Sequence, residues 1–593
     1  MGVAVARLPC HAGCVHTFTV WAPFADTVDL VVDGHHIPMT PAGDRPGWWQ
    51  ATAENAGPGT DYAFSVDGGP PRPDPRTEWQ PHGVDGPSRV FDPAAHAWGD
   101  QDWAGVDVRG RLFYELHAGT FTEQGTLDAA IERLDHLREL GVDIVSLMPV
   151  AAFPGEHGWG YDGVDLFAVH GRYGGPAALQ RFVDACHQRG LGVCLDVVYN
   201  HLGPQGNYLE TFGPYFTDKH HTPWGKAVNL DDEHNDQVRR YICDNALRWF
   251  RDFRIDALRL DAVHELADDS HQHLLAQLST ETAALSEQVG RPLGLVAESD
   301  LNDPTMVIPV EQGGLGMTAQ WSDDFHHALH ALLADETHGY YVDFGDLRVL
   351  AKTLTEVFRH DGGFSTFRNR DWGAPVDRAR IGGHRFLAYA ANHDQVGNRA
   401  VGDRPAASLT AGRVAIGAAI TLTSPFTPML FMGEEWGCTT PFMFFSDHQD
   451  PDLAQAIRDG RRAEFADFGW AADQIPDPQD HATRHGSVLD WSDLDEEPHR
   501  RMLDWYRDLI ALRRSESDLT DDRLDRLEVD IDEQAQTLVM TRGAFRVVVN
   551  LGPQQHRFEL AVQRVALAFG EVEHDADAGL TVGPDSVAIA RVG

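Results

Sequence analysis

Positive charge is what this chain has least of. Its 48 Lys and Arg stand against 90 Asp and Glu, a formal charge of −42 over 593 residues. Such a field repels phosphate backbones and anionic lipid, which excludes nucleic acid and membrane surfaces as partners and leaves a neutral ligand untouched. Solubility or a saline cytoplasm accounts for the acidic surplus. No apolar run reaches the roughly 18 residues needed to span a bilayer. The opening MGVAVARLPCHAGC has no sustained apolar stretch before a small-residue cleavage site, so no signal peptide is expected. Cysteine is scarce: Cys10, Cys14, Cys186, Cys194, Cys243 and Cys438. Cys186, Cys194 and Cys243 fall in predicted helix or strand interiors, where a thiol packs as a small hydrophobe. CHAGC lacks the further ligands a metal site needs. The set fits a reducing, cytoplasmic compartment.

What is present divides into three segments. Residues 1–105 read as a β-sandwich and linker, with short alternating runs such as HTFTVWAP (16–23) and TVDLVVDG (27–34) between Gly, Pro and Asp turns. Residues 106–519 alternate strand and helix patterns. Strands are predicted within 111–119, 142–150, 191–198, 254–261, 292–299, 317–322, 384–392 and 427–437, and helices over 126–141, 177–190 and 237–253. Eight strands with intervening helices argue for an α/β fold closed as a (β/α)8 TIM barrel with insertions. The stretch 201–233 is polar and aromatic without periodicity and reads as a long loop at the active face. Residues 520–593 return to strands within 536–552, 556–562 and 579–592, a small C-terminal all-β domain.

Four short segments carry acids where apolar strands give way to turns: LDVVYNH (195–201) with Asp196, LRLDAVHEL (258–266) with Asp261, GLVAESDLNDP (294–304) with Glu298, and YAANHDQVGN (389–398) with Asp394. In a barrel these strand ends converge on one mouth. Carboxylates from separate strands then share a pocket, as hydrolysis of a glycosidic bond requires. Arg259 and Asp261 are two apart and point to one face, so the guanidinium favours an ionised Asp261, whether as nucleophile or as a barrel-mouth ion pair. Glu298 ends a strongly apolar strand, where desolvation raises a carboxyl toward general-acid duty, although a loop carboxylate is the commoner role. His393 and Asp394 make a strand-end pair suited to sugar hydroxyls, and Asp196, Asn200 and His201 a similar cluster. HGWGYDG (157–163) holds Trp159, Tyr161 and Asp162, either a platform for a sugar's C–H face or a hydrophobic plug over the barrel.

DVVYNH, LRLDAVHEL, AES and ANHD stand in the order and spacing of the four signature segments of the α-amylase superfamily of glycoside hydrolases. The resemblance covers about 110–500. It implies Asp261 as nucleophile, Glu298 as general acid/base and Asp394 as transition-state stabiliser. Arg259, His201 and His393 match residues that orient the nucleophile and bind the first sugar, and Tyr161 matches a stacking platform. The N-terminal segment is similar to the sandwich that precedes the barrel in branching and debranching members. Within the superfamily, GWGYDGVDLFAVHGRYGGP (158–176), AESDLNDP (297–304), QWSDDFHHALH (320–330) and MGEEWGCTTPFMFFSDH (432–448) resemble the maltooligosyltrehalose trehalohydrolases, which release trehalose from maltooligosyltrehalose. His264 stands where a Lys often follows the nucleophile, and trehalohydrolases share this His. The resemblance implies an oligosaccharide substrate supplied by maltooligosyltrehalose synthase, and no cofactor. Asn200 aligns with a calcium ligand of secreted amylases, but no full oxygen-ligand set accompanies it, so no metal is expected. Asp300, Asn302, Trp321, Asp323 and Asp324 are expected to line the leaving-group side and select trehalose-ended chains. The alternatives are a glycogen-branching transferase, which shares all three acids, and an inactive glucan-binding protein, which would be expected to have lost one of them.

Overall fold

The computed structural model of the protein describes residues 15–466, 471–575 and 579–593. Cys10 and Cys14 lie outside them. Eight parallel strands close a barrel in chain order: β1 (Phe113–Leu116), β2 (Ile144–Leu147), β3 (Gly192–Val197), β4 (Ala257–Leu260), β5 (Gly294–Ala297), β6 (Ala319–Trp321), β7 (Phe386–Tyr389) and β8 (Thr427–Phe431). Every strand residue is buried, as expected where helices cover the outside and side chains fill the inside.

One apolar cluster takes Phe113, Ile144, Cys194, Ala257, Val296, Ala319, Leu387 and Met429, a residue from each strand, and fills the barrel interior. Side chains on a strand alternate faces, so a residue two further on points the same way, one layer higher. That step leads from Phe113 to Glu115, from Cys194 to Asp196, from Ala257 to Arg259 and from Val296 to Glu298. An apolar floor therefore carries a polar layer built from four strands. Register sharpens this: Asp196 is the direct partner of Arg259 across β3 and β4.

The strand expectations hold for all eight barrel strands, and the helices Gly175–His187 and Asn235–Asp252 form where periodicity predicts them. The single helix expected over 126–141 is two, Leu127–Ile131 and Leu134–Leu140. Thr126 caps the first through the Ala129 amide, and Gly141 ends the second at φ 97°. The stretch 201–233 also differs from expectation. It contains a short helix, Leu209–Phe212, and a hairpin, Phe216–Thr222 with Gly225–Val228. The turn TPWG, with Gly225 at φ 113°, is the local signal for that hairpin.

Ahead of the barrel, antiparallel strands form a three-stranded and a four-stranded sheet between Val15 and Arg89. They pack on the loop after β3 through Trp21 against Tyr215, ring centroids 5.2 Å apart, and Phe64 against Phe212, 6.4 Å. After the barrel, a five-stranded and a three-stranded sheet share a core of Val548, Phe558, Leu580, Val582, Ala588 and Ala590. Three strands here escape the sequence reading: Glu528–Asp532, Val562–Phe569 and Val572–Asp575. EVDID sits at a sheet edge, where acids discourage pairing with a second chain and hide the strand pattern. Cys186, Cys194, Cys243 and Cys438 are buried free thiols. No helix among the described residues is long and apolar enough to cross a membrane.

Candidate active site

Arg259 organises the polar layer. Its Nη1 donates to Asp196 Oδ2 at 2.8 Å and to Asp261 Oδ1 at 2.7 Å, and its Nη2 lies 3.6 Å from Glu298 Oε2. Burial opposes the Arg259 charge, but Asp196, Tyr161, Asp261 and Glu298 outweigh it and hold its pKa well above the ordinary value. The guanidinium also lies over the Trp321 ring, 4.4 Å from its centroid.

Asp261 is fixed from two sides. Opposite Arg259, the Asn200 amide donates to Asp261 Oδ2 and to its carbonyl, both at 2.8 Å. The Asn200 carbonyl in turn bonds His201 Nδ1, and His201 Nε2 bonds the Tyr161 carbonyl at 3.0 Å. Asn200 is thus a clamp on Asp261, and both nitrogens of His201 are committed to holding that clamp. His201 stacks on Trp224 from the hairpin, with ring centroids 4.2 Å apart and planes 6° from parallel.

Glu298 sits in a contrasting environment. It accepts a hydrogen bond from the Ala262 amide, which a left-handed Ala262 (φ 36°) presents. Burial, reinforced by Asp261, Asp323 and Asp394 and opposed by Arg259, raises Glu298 to about 8. Burial likewise raises Asp323 to about 6, and the Tyr389 hydroxyl donates to it. Burial also raises Asp196 above the ordinary carboxylate range, with Arg259 opposing.

The far wall is built on Glu115, a residue not singled out from the sequence. Glu115 accepts from the His393 amide at 2.9 Å and bonds His393 Nδ1 at 2.8 Å. A buried acid in the apolar strand FYEL was its only sequence signal. Burial works against a charged His393, but Asp394 and Glu115 raise its pKa to about 9. His393 Nε2 meets the Tyr161 hydroxyl at 2.8 Å, and that hydroxyl donates to Asp196 at 2.7 Å. Tyr161 also stacks on His393 at 5.2 Å. Asp394 lies in the first turn of a short helix, His393–Gly397, capped by Asn392, and keeps 39% of its side chain exposed, 3.3 Å from His393.

The structure therefore brings Tyr161, Asp196, His201, Arg259, Asp261, Glu298, His393 and Asp394 into one connected cluster. Asp162 stands at its edge, 3.3 Å from His448. His264 accepts from the Asp300 amide at 3.3 Å, tying the turn after Asp261 to the loop after β5. Asp300 is gripped by Arg368 from the hairpin Gly363–Ser365 with Arg370–Trp372.

Four residues expected as ligand contacts are held inside the fold. Trp159 is only 5% exposed, stacked on Phe442 at 5.1 Å with its Nε1 donating to the Met443 carbonyl, and packs as a plug over the barrel. Trp321 is buried beneath Arg259. Asn302 and Asp324, 5% and 3% exposed, bond each other at 2.9 Å. Asp324 also accepts from the Arg359 and His360 amides at 2.7 and 3.0 Å, and Asn302 donates to the His360 carbonyl. Their polar atoms are spent inside the fold, pinning the 359–360 backbone.

Comparisons with known proteins agree with this geometry. Residues 100–224 match the family "Alpha amylase, catalytic domain". A malto-oligosyltrehalose trehalohydrolase of Arthrobacter ramosus is 51% identical over 580 residues, covering 97% of this chain and 99% of that protein. One from Mycobacterium tuberculosis is 51% identical over 541 residues, 91% and 93% of the two chains. A crystal structure from Salmonella typhimurium assigned as an α-amylase superposes with a TM-score of 0.89 at 35% identity, covering 98% of each chain. A 1,4-alpha-glucan branching enzyme of Corynebacterium jeikeium is more distant, 27% identical over 71% of this chain.

Proposed function

The chain belongs to the malto-oligosyltrehalose trehalohydrolases of the α-amylase superfamily, and we propose on that premise that it hydrolyses the α-1,4 bond next to the terminal trehalose of maltooligosyltrehalose. The products are trehalose and a maltooligosaccharide. The observation that carries this is one guanidinium facing two carboxyls, Asp261 held by Asn200 and Glu298 raised by burial, in a chain 51% identical to a named trehalohydrolase.

Asp261, clamped by Arg259 and Asn200, attacks the anomeric carbon as the bond to the leaving oxygen breaks. Glu298, protonated at neutral pH because burial raises it to about 8, gives its proton to that oxygen. Water then adds to the glycosyl-enzyme, loses its proton to Glu298 and frees Asp261, so the configuration is retained. Asp394, with the charged His393 beside it, meets the ring hydroxyls as positive charge grows on the sugar. Tyr161 is the platform for that sugar. Asp162, His264, Asp300 and Asp323 contact sugars around the cleavage point, with Asp300 and Asp323 on the leaving-group side. No step requires a cofactor.

The same reading divides the chain into an N-terminal sandwich and linker (1–105), the catalytic barrel (106–519) and a C-terminal all-β domain (520–593). It takes its substrate from a maltooligosyltrehalose synthase. Buried free thiols support a cytoplasmic setting. The branching reading is weaker, because the branching relative shares far less of the chain than the trehalohydrolases do. Product analysis decides. Incubated with maltooligosyltrehalose and, separately, with plain maltooligosaccharide, the protein is expected to release trehalose from the first far faster than it cleaves the second. New branches without trehalose would support the transferase instead.

A further inference from the structure

His157, Asp447 and His481 come from three separate segments: the loop after β2, the loop after β8, and the helix His481–Gly486. One nitrogen or oxygen from each lies within 4.8 Å of the others. His157 is 8% exposed, yet its ring is poorly satisfied. Its Nδ1 stands 3.7 Å from Asp447 Oδ2, beyond hydrogen-bond reach, and its Nε2 is buried with no partner. That separation is close to the ~3.4 Å between two ligands of a tetrahedral zinc ion, given zinc–ligand distances near 2.0–2.1 Å. The Asp447 carboxylate is already aimed, since Oδ2 accepts from the Glu156 amide at 2.8 Å and Oδ1 from the Gln449 amide at 3.1 Å. The His157 and His481 rings are 4.4 Å apart. A cavity of about 400 Å³ lined by His157, His481 and Glu156 gives access, and Glu156 or water can complete the coordination.

A second cluster, His220, Asp231 and Asp269, shows what a merely satisfied acidic group looks like. There Lys219 Nζ sits 2.7 Å from Asp231 and His220 hydrogen-bonds the same carboxylate at 2.9 Å, so its charge is answered within the protein. Among the described residues, no Lys or Arg pairs with Asp447, although Arg172 and Arg484 line the same cavity. Arg484 is committed to the Gly119 carbonyl.

We propose that His157, Asp447 and His481 form a structural site for a zinc-class divalent cation, apart from the reaction centre. Two imidazoles and a carboxylate suit zinc or cobalt far better than calcium or magnesium. The cation would tie the segment holding Trp159 and Tyr161 to the loop holding Phe442 and Met443, across contacts Trp159 already makes. Its effect is on the stability of the loops over the barrel, not on the chemistry.

The test titrates the full chain, stripped with chelator, with cobalt(II), followed by its visible d–d absorption, and with zinc by equilibrium dialysis. Wild type is expected to bind one saturable equivalent of cobalt that zinc displaces, and zinc is expected to raise Tm. His481→Ala, an exposed position, should weaken binding at least about tenfold, the loss that removing even an outer-shell partner brings, and abolish the Tm gain. His157→Gln should do the same, and His220→Ala should leave binding intact. Equal binding by wild type and His481→Ala would overturn the site, as would the absence of a saturable cobalt band in wild type. If His157→Gln does not fold, His481→Ala decides alone.

Discussion

Two acid-bearing corners of the barrel mouth look alike in the sequence and behave oppositely in the fold. Above β4 and β5, Asp261 and Glu298 face one guanidinium and keep 12% and 17% of their side chains exposed. Beyond β5 and β6, Asn302 and Asp324 turn toward each other and to the 359–360 backbone, leaving little for a sugar. Both sets follow strand ends, so position alone does not make a ligand contact. What separates them is where the next polar group lies. Asp261 meets a cation placed by strand register, whereas Asp324 meets backbone amides that would otherwise be buried without partners.

Substitutions can break this contrast. The largest effect is expected at Asp261→Asn, which keeps shape and removes the nucleophile. Turnover should fall about a thousandfold or more with the melting transition little changed. Near-normal turnover would remove Asp261 from the role. Glu298 should announce itself through pH. Its acid form is the working form at the first step, so kcat/KM is expected to fall as pH rises through about 8. A flat profile from pH 6 to 10 would contradict the assignment.

Glu298 should also trade stability for function. Its folded pKa is raised, so its contribution to stability is full below about 4.5 and is lost as pH rises through about 8. Glu298→Gln carries no such penalty. It should therefore be inactive yet more stable than wild type above pH 8, by on the order of a few kcal/mol, with the two converging in acid. Denaturant unfolding at pH 5 and pH 9 reads this directly. Asp324→Ala and Asn302→Ala should do the reverse. The first strands buried donors and the second buried acceptors, and each should cost about 2–3 kcal/mol of stability, while lowering kcat/KM equally on trehalose-ended and plain chains. A selective loss on the trehalose-ended substrate would return these two residues to the cleft.

Much of this fold was legible before any coordinates. Eight apolar runs with helical stretches between them define the barrel, because strands buried on both faces leave an unbroken apolar signal. The four acid-bearing strand ends mark the mouth. Contacts across the chain were not legible. Glu115 reaches His393 over 278 residues, and no local pattern announces that pairing. Trp159 reads from the sequence as a platform sooner than a plug, until Phe442, far along the chain, is seen to cover its face. The hairpin carrying Trp224 and the acidic edge strand Glu528–Asp532 were hidden by polar residues that suit exposed strands as well as loops.

Proton NMR of a fresh digest of maltotriosyltrehalose tests the central claim most directly. A nucleophilic Asp261 with Glu298 as acid/base requires trehalose and the α-anomer of maltotriose as the first products, with the β-anomer appearing only by later mutarotation. Initial release of the β-anomer, or digestion without free trehalose, would contradict the account.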